Sequence, residues 1–387
     1  MIQEKIQNFL NKNRCTLLGV GPISVNCIDA AIELSNEHSA PLMLIASRRQ
    51  IDSEDFGGGY VNNWSTKMFA DYVINKDKKG KIILARDHGG PWQNEKEINK
   101  KLSLRRAMES AKASYCADID AGLQILHIDP SVDIFDSPNV DEILDRIFEL
   151  YEFCWSYAQS KNKDIIFEIG TEEQSASSNS QEELDYVLDN VGNFCDRQKL
   201  PRPFFVVIQT GTRVMEMKNV GSFDSPLRIV DELPTEIQVP KMVQICNHHG
   251  VFMKEHNADY LSDDALSWHP RLGIHAANVA PEFGVVESQT LVNIFEQNGM
   301  HIQAEKFLEL SYSSHKWEKW MIEGTSASDR ERSMISGHYI FSTPECYEIK
   351  RSAQYDLARK GIDLDTALKA SIKKAIYRYM VNFRMIQ

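Results

Sequence analysis

The protein is a chain of 387 residues, 42% apolar and 25% charged, which is enough apolar material for a large core and excludes a disordered chain. Its formal net charge of −12 leaves no basic footprint, which argues against a nucleic acid or an anionic membrane as partner. Seven cysteines without a CxxC motif predict free thiols in a reducing compartment. With no recognisable signal peptide or membrane-spanning run, we expect a cytoplasmic protein.

Eight short apolar or β-branched runs recur along the chain, with starts 26 to 42 residues apart. That spacing suits a strand, a crossover helix and their loops. The runs begin at Thr16, Leu42, Lys81, Leu123, Asp164, Phe204, Lys241 and Arg271. Eight such units predict an α/β fold, a closed (β/α)8 TIM barrel over residues 1–300. The rival, an open nucleotide-binding sheet, would need a GxGxxG motif after the first strand, and the motif is absent.

Beyond about residue 300 the strand rhythm stops. Amphipathic segments over residues 303–322 and 363–384 predict helices, joined by a polar stretch. We therefore expect residues 301–387 to form a helical C-terminal extension packed on the barrel.

The ends of the predicted strands carry many polar residues. Residues 82–84 form a buried run that passes directly into Asp87 and His88, and Gly89 and Gly90 then stop the strand. Barrel enzymes place their sites at the carboxyl ends of strands, so these side chains are expected to meet at one rim. The strand-end residues that we consider for the site are Arg48, Arg49, Asp87, His88, Asp129, Glu168, Glu172, His248, His249, His275 and Asn278.

Three histidines predict a metal centre. His88, His249 and His275 follow the third, seventh and eighth runs, and three protein ligands with one open position are typical of catalytic zinc. His248 competes for the seventh-strand place, because alternation along a strand sends only one of two adjacent side chains inward. His127 and His256 are held in reserve. We therefore predict a divalent metal, zinc foremost.

The metal would polarise a carbonyl, and carboxylates would move protons beside it. Asp87 is the predicted proton carrier, with the cap of a loop or the orientation of an imidazole as its alternative. Glu168 or Glu172 would act as a further acid or base, or steady the metal. Asp129 would form hydrogen bonds with hydroxyl groups of the substrate. Asn278 is a further predicted substrate contact.

An anion site is predicted at the same rim. Arg48 and Arg49 offer bidentate hydrogen bonds to a phosphate or carboxylate. Gly58 and Gly59, in the glycine-rich stretch that follows, either let the backbone approach a ligand or simply permit a tight turn. Arg330 in the extension is a further candidate contact, with a solvated charged face as its alternative.

Several stretches together carry a family resemblance: Ser24-Val-Asn-Cys27, Phe56-Gly-Gly-Gly-Tyr60, Asp87-His88-Gly-Gly-Pro91-Trp-Gln93, His127-Ile-Asp129-Pro-Ser131, Ile169-Gly-Thr-Glu172, Gln209-Thr-Gly211 and Ser328-Asp-Arg330. Over roughly residues 15–345 the chain resembles the second-subunit family of class II tagatose-bisphosphate aldolase, described as non-catalytic or chaperone-like. Asp87-His88, His249 and His275 are also similar to the proton-transfer and zinc-ligand positions of class II fructose-bisphosphate aldolases.

The resemblance implies a TIM barrel, a divalent metal and a ketose phosphate or related acidic sugar. Aldol cleavage or condensation, or 4-epimerisation by a retro-aldol step, is the implied chemistry. The chain departs from the subunit family at Arg48-Arg49, at residues 247–250 and at His275. These departures argue against a purely non-catalytic role, because a scaffold has no need of a complete set of metal ligands.

Three hypotheses follow. The first is a metal-dependent aldolase or epimerase. The second is a non-catalytic barrel subunit that stabilises a tagatose-bisphosphate aldolase partner. The third is a metal-free isomerase that uses Glu168 and Asp129 as an acid/base pair. A homo-oligomer is compatible with each of them.

Overall fold

The fold is a closed barrel of eight parallel strands, which confirms the predicted TIM barrel. The computed structural model describes residues 1–170, 180–225 and 233–386, so the predicted site residue Glu172 lies outside the described residues. The barrel strands are β1 (Leu17–Val20), β2 (Leu42–Ser47), β3 (Ile82–Gly89), β4 (Ile125–Ile128), β5 (Ile166–Ile169), β6 (Phe205–Ile208), β9 (Phe252–Glu255) and β10 (Ala276–Val279). A short antiparallel hairpin, β7 (Val214–Met215) and β8 (Lys218–Asn219), follows the sixth barrel strand.

The barrel closes between its first and last strands. Leu17 of β1 pairs with Ala276 of β10, and Gly19 of β1 pairs with Met43 of β2 on the other side. Most strand residues are fully buried, because one face fills the barrel interior and the other packs under the helices. This double burial explains why the strands read as nearly continuous apolar runs.

Helices connect the strands, and most begin at a Ser, Asn, Thr or Asp whose side chain accepts a hydrogen bond from the first turn, as at Ser24, Asn139 and Ser262. The helices around the barrel are α1 (Ile2–Asn13), α2 (Val25–His38), α3 (Thr66–Lys76), α4 (Glu95–Asn99), α5 (Leu104–Ala121), α6 (Val140–Ser160), α7 (Gln181–Gln198), α8 (Thr235–His249), α9 (Asp263–Leu272) and α10 (Pro281–Gln297).

Four helices follow α10: α11 (His301–Ser313), α12 (Asp329–Ile340), α13 (Pro344–Arg359) and α14 (Leu364–Asn382). The helices α11, α12 and α13 share a second apolar cluster with α10, while α14 returns to the barrel and packs against α2 and α10. These helices agree with the predicted extension, whose boundary at residue 300 stays a prediction. Within the three described ranges, no helix combines the length and apolarity needed to cross a membrane.

The seventh and eighth strands lie elsewhere than predicted. The run at Lys241 belongs to α8, and the seventh barrel strand is β9, which begins after the turn at Gly250. The run at Arg271 ends α9, and β10 starts only at Ala276. The histidines of these segments therefore stand at the amino ends of strands, which reverses the end of the barrel that they face.

Candidate active site at the barrel mouth

A cavity of about 370 Å³ opens at the carboxyl ends of the strands. Barrel residues that line it include Ser47, Arg49, Asp87, His256 and Asn278. The hairpin and the C-terminal helices close its outer side. This volume and position suit a small-molecule site in a barrel enzyme.

Asp87 and His88 are adjacent in sequence, yet both line the cavity. The pairing of β3 with β4 shifts register between Arg86 and Gly89, and His88 has a left-handed backbone with φ of 45°. Such an irregularity re-aims a side chain at a strand end, and a strained backbone of this kind is common at functional sites. The local break in the strand therefore delivers both groups to one place.

His88 is oriented from behind by a carboxylate. Its Nδ1 donates to Oδ2 of Asp129 at 2.6 Å, and Asp129 also accepts hydrogen bonds from Ser131 and Gln93. Burial opposes charge here, but Asp87 and Asp129 together raise the pKa of His88 to about 9. In turn, against the effect of burial, the hydrogen bond from His88 lowers the pKa of Asp129 to about 2. The ring of His88 is thus fixed with Nε2 pointing away from Asp129.

His256 faces His88 across the cavity wall. It directly follows β9, and its Nε2 lies 3.0 Å from Nε2 of His88. Gln209 holds the other ring nitrogen, Nδ1, at 2.8 Å. Burial and the neighbouring positive charge of His88 lower the pKa of His256 to about 3, so this imidazole is neutral. A neutral imidazole fixed through Nδ1 is the form in which histidine binds metals.

The residues present fit a divalent metal ion. Two imidazole nitrogens 3.0 Å apart can both reach one ion, and Oδ2 of Asp87 lies 3.9 Å from Nε2 of His88. Burial would raise the pKa of Asp87, but His88, His127 and Lys254 lower it well below its usual range, so the carboxylate is ionised. Nitrogen and oxygen donors of this kind suit zinc and other first-row divalent ions.

A second polar layer lies below the cavity, inside the barrel. Glu168 accepts hydrogen bonds at 2.7 and 2.9 Å from Nζ of Lys254, and the two side chains are fully buried. His127 stands between the layers, with Nδ1 3.4 Å from Glu168 and 3.6 Å from Asp87. The prediction that Glu168 acts as an acid or base at the substrate is therefore corrected, because Glu168 neutralises a buried lysine and does not line the cavity.

Two further groups could hold an ion among the described residues. One combines His88, His127 and Asp129, and the other combines Asp87, His127 and Glu168. Both draw on carboxylates that already bind a partner, Asp129 to His88 and Glu168 to Lys254. The pair of imidazoles that faces the cavity is the better candidate.

The predicted ligand set His88, His249 and His275 is wrong as a set. His249 ends α8 and pairs with Asp185 at 2.8 Å, and His275 precedes β10, where Nδ1 accepts the backbone N–H of Met253. In a parallel barrel these positions lie at the amino ends of strands, opposite the mouth that holds His88. His248, exposed at the end of α8, shares that location.

The two adjacent arginines have different environments. Arg48 is buried in ion pairs with Asp52 at 3.0 Å and Glu97 at 2.7 Å, so its predicted role as a substrate ligand is corrected to a structural one. Arg49 lines the cavity, and its Nε is buried without a hydrogen-bond partner. Arg49 stays a predicted anion contact.

The glycine-rich stretch serves the backbone. A Cβ on Gly59 would lie 2.0 Å from the carbonyl oxygen of Gln50, and Gly58 has a φ of 70°. Neither glycine lines the cavity, so the tight-turn alternative holds and ligand binding does not. The predicted substrate contact of Arg330 is also corrected, because its guanidinium group forms two hydrogen bonds to Glu296 on the surface, at 2.8 and 2.9 Å.

Asp129 orients His88 and does not line the cavity, which corrects its predicted contact with sugar hydroxyls. Asp129 binds His88 and Glu168 binds Lys254, so the geometry gives no support to these two carboxylates as a metal-free acid/base pair. Asn278 does line the cavity and donates to Oδ1 of Asp87 at 3.3 Å. Its substrate contact remains a prediction.

Other cavity residues were missed or undervalued by the sequence reasoning. His256 is only a reserve in the sequence analysis, although its place three residues after the short apolar segment 251–253 is a usable signal. Lys319, His338 and Tyr339 come from the C-terminal helical region, and no local pattern predicts that they reach the barrel mouth.

Residues 2–187 match the family described as D-tagatose-1,6-bisphosphate aldolase subunit GatZ/KbaZ-like. This match confirms the resemblance predicted from the sequence over residues 2–187. No curated protein matches the chain. The matched range includes Asp87, His88 and Asp129, while His256 lies beyond it.

Solved structures share the fold over nearly the whole chain. A probable tagatose 6 phosphate kinase from Sinorhizobium meliloti 1021 has a TM-score of 0.71 at 17% identity, covering 95% of this chain and 100% of that one. The fructuronate-tagaturonate epimerase UxaE from Cohnella laeviribosi has a TM-score of 0.57 at 11% identity, with 95% and 81% covered. A fructose-bisphosphate aldolase from Campylobacter jejuni has 0.56 at 11% identity, with 99% and 94% covered. At these identities the likeness concerns the fold alone.

Proposed function

We propose that the protein is a metal-dependent aldolase or epimerase that acts on a phosphorylated or otherwise acidic ketose. The observation that carries this proposal is the pair of Nε2 atoms of His88 and His256, 3.0 Å apart at the cavity, beside the ionised carboxylate of Asp87. The family match, to an aldolase subunit, supports the same class of chemistry.

His88 and His256 would hold the ion, and the carboxylate of Asp87 beside them would stay available for proton transfer. Catalytic zinc sites usually have three protein ligands, so a two-histidine set leaves more positions for substrate oxygens. Lewis-acid polarisation of the substrate carbonyl is the chemistry that a bound divalent ion supplies. Asp129 would keep the ring of His88 in place through its 2.6 Å hydrogen bond.

Asp87 would take the proton in the cleavage step. Its carboxylate would accept the proton of the hydroxyl group β to the carbonyl, the adjacent carbon–carbon bond would break, and the electron pair would pass to the carbonyl to give an enediolate and an aldehyde. Re-addition to the other face of the aldehyde gives the 4-epimer. Asn278 would hold Asp87 in position through the contact at 3.3 Å.

Elemental analysis of protein purified without chelators tests the metal site. We expect metal in the wild type, loss of it in His88→Ala and in His256→Ala, and full retention in the control His249→Ala, because His249 lies at the opposite end of the barrel. Asp87→Asn is expected to retain the ion and lose cleavage of ketose phosphates. Equal metal content in the wild type, His88→Ala, His256→Ala and His249→Ala, or no metal in the wild type, contradicts the proposal.

A second candidate is a non-catalytic subunit that stabilises a class II aldolase, which the family description as an aldolase subunit favours. In that case the chain co-purifies with an aldolase, and His256→Ala leaves the activity of the complex unchanged. The same variant abolishes activity if this chain carries the reaction. The seven free cysteines agree with the cytoplasmic location that we propose for either role.

A further inference from the structure

The C-terminal helical region forms part of the cavity wall. Lys319 and Trp320 from the segment before α12, and His338 and Tyr339 from α12, face the same cavity as the strand-end residues. Gly284 of α10 leaves room for the ring of His338, since a Cβ there would lie 2.8 Å from three atoms of that side chain. The extension is therefore fitted to the barrel mouth and contributes side chains to the site.

Three cations line the same cavity. Arg49 comes from the end of β2, Arg213 from the start of the hairpin and Lys319 from the extension. Among the described residues, none of the three forms an ion pair within 4 Å, whereas Arg48 beside them is bound to two carboxylates. In a chain with a net charge of −12, three unpaired cations around one small cavity are not expected from composition.

Arg49 is the best-defined of the three. Its side chain is half-buried, and its Nε is fully buried with no hydrogen-bond partner, which is costly unless a ligand supplies the acceptor. Glu95, one acid whose charge interacts with Arg49, is already paired with Lys316 at 2.8 Å. The ring of Tyr60 lies 4.9 Å from that of Tyr339 and flanks the same part of the cavity.

The remaining acids of the wall do not neutralise these cations. Asp87 belongs to the candidate metal centre. Asp259 accepts the backbone N–H groups of Ala280 and Glu282 at the start of α10. The cationic wall is thus left for an anion from outside the chain.

We propose that Arg49, Arg213 and Lys319 form a subsite for the anionic end of the substrate, a phosphate monoester or a carboxylate. The inference rests on the proposed function for the identity of the rest of the ligand, but anion binding itself requires no metal. Guanidinium groups suit both anions through paired hydrogen bonds, and three positive charges favour a dianionic phosphate. The subsite joins barrel and extension, so the extension helps to decide which sugar is accepted.

The test is isothermal titration of the full-length, EDTA-treated protein with inorganic phosphate at low ionic strength. We expect saturable binding to the wild type and a loss of affinity of roughly tenfold or more in Arg49→Gln, because a charge-assisted hydrogen bond is removed. Lys319→Gln should weaken binding as well. Arg330→Gln is the matched control, since Arg330 is already paired with Glu296 on the surface.

Parallel titrations with a hexose 6-phosphate and with glucuronate distinguish the two anions. Tighter binding of either one than of the uncharged hexose supports the subsite and identifies the anionic group. The proposal is overturned if neither anion binds saturably, or if Arg49→Gln and Lys319→Gln bind as the wild type does. An equal loss in Arg330→Gln overturns it too. Because no ion is present, failure here is independent of the metal analysis.

Discussion

The buried pair of Lys254 and Glu168 offers a sharp test of which carboxylates serve the fold and which serve the site. Lys254→Met removes the donor of two hydrogen bonds of 2.7 and 2.9 Å and leaves the carboxyl group of Glu168 without its cationic partner in the barrel interior. Breaking a buried pair from one side costs about 3–5 kcal/mol. We expect the free energy of unfolding to fall by that amount.

Glu168→Gln and the double variant complete a thermodynamic cycle. If the two residues act as one neutralised unit, the double variant loses far less than the sum of the single losses, with a coupling energy of about 2–3 kcal/mol. Lys67→Met is the surface control, because Lys67 and its partner Asp71 are 77% and 56% exposed. Such a pair contributes under about 1 kcal/mol.

Urea unfolding followed by tryptophan fluorescence measures all four changes, and metal content is recorded for each protein. A structural pair predicts lower stability with the metal retained. Additive losses in the cycle, or a stable Glu168→Gln protein that has lost catalysis, refute the reasoning and restore Glu168 as a catalytic candidate.

Three further predictions concern the mouth of the barrel. Arg48→Met leaves the buried carboxylates of Asp52 and Glu97 without their cation and should lower the free energy of unfolding by about 3–5 kcal/mol. Arg49→Met should change it by less than about 1 kcal/mol, and equal losses of the two variants in thermal unfolding contradict this contrast. Gly19→Ala places a Cβ 2.4 Å from Oδ1 of Asn278 and should cost about 1–3 kcal/mol. The cost should fall when Asn278→Ala is the background, where the 3.2 Å contact with Cγ2 of Ile45 remains; an unchanged cost excludes the clash with Asn278. Burial, helped by a nearby positive charge, lowers the pKa of His338 from 6.5 to about 3, so the unfolded chain takes up a proton below pH 6.5 that the folded protein refuses. Stability is therefore lost as pH falls, by about 1.5 kcal/mol between pH 6.5 and 5 for this group, and His338→Phe should remove that part of the loss; unchanged acid sensitivity argues against it.

The sequence by itself determined the type of fold and six of the eight strands. Strands buried on both faces need continuous apolar runs, and the spacing of these runs leaves room for one crossover helix between successive strands. The sequence therefore predicted the strands β1 to β6. It also indicated Asp87 and His88, because a strand that ends abruptly at two glycines presents its last side chains at the rim.

The last two strands could not be read in the same way. A short run such as residues 241–246 fits a helix face as well as a strand, and packing against α7 and α9 makes it the helix α8. Because this segment is a helix, His249 lies at the amino end of the following strand, away from the cavity, and His256 lies at the carboxyl end of that strand, at the cavity. The two misassigned runs, at Lys241 and Arg271, thus removed two of the three predicted ligands, His249 and His275.

Residue chemistry in the sequence determined that imidazoles, carboxylates and arginines would gather at a barrel mouth. Only the tertiary structure decided which of them remain available. Arg48, Asp129 and Glu168 bind partners that lie far apart in sequence, while Arg49, His256 and four side chains of the extension line the cavity. The physical reason is that burial and pairing depend on long-range packing, which no local pattern of residues specifies.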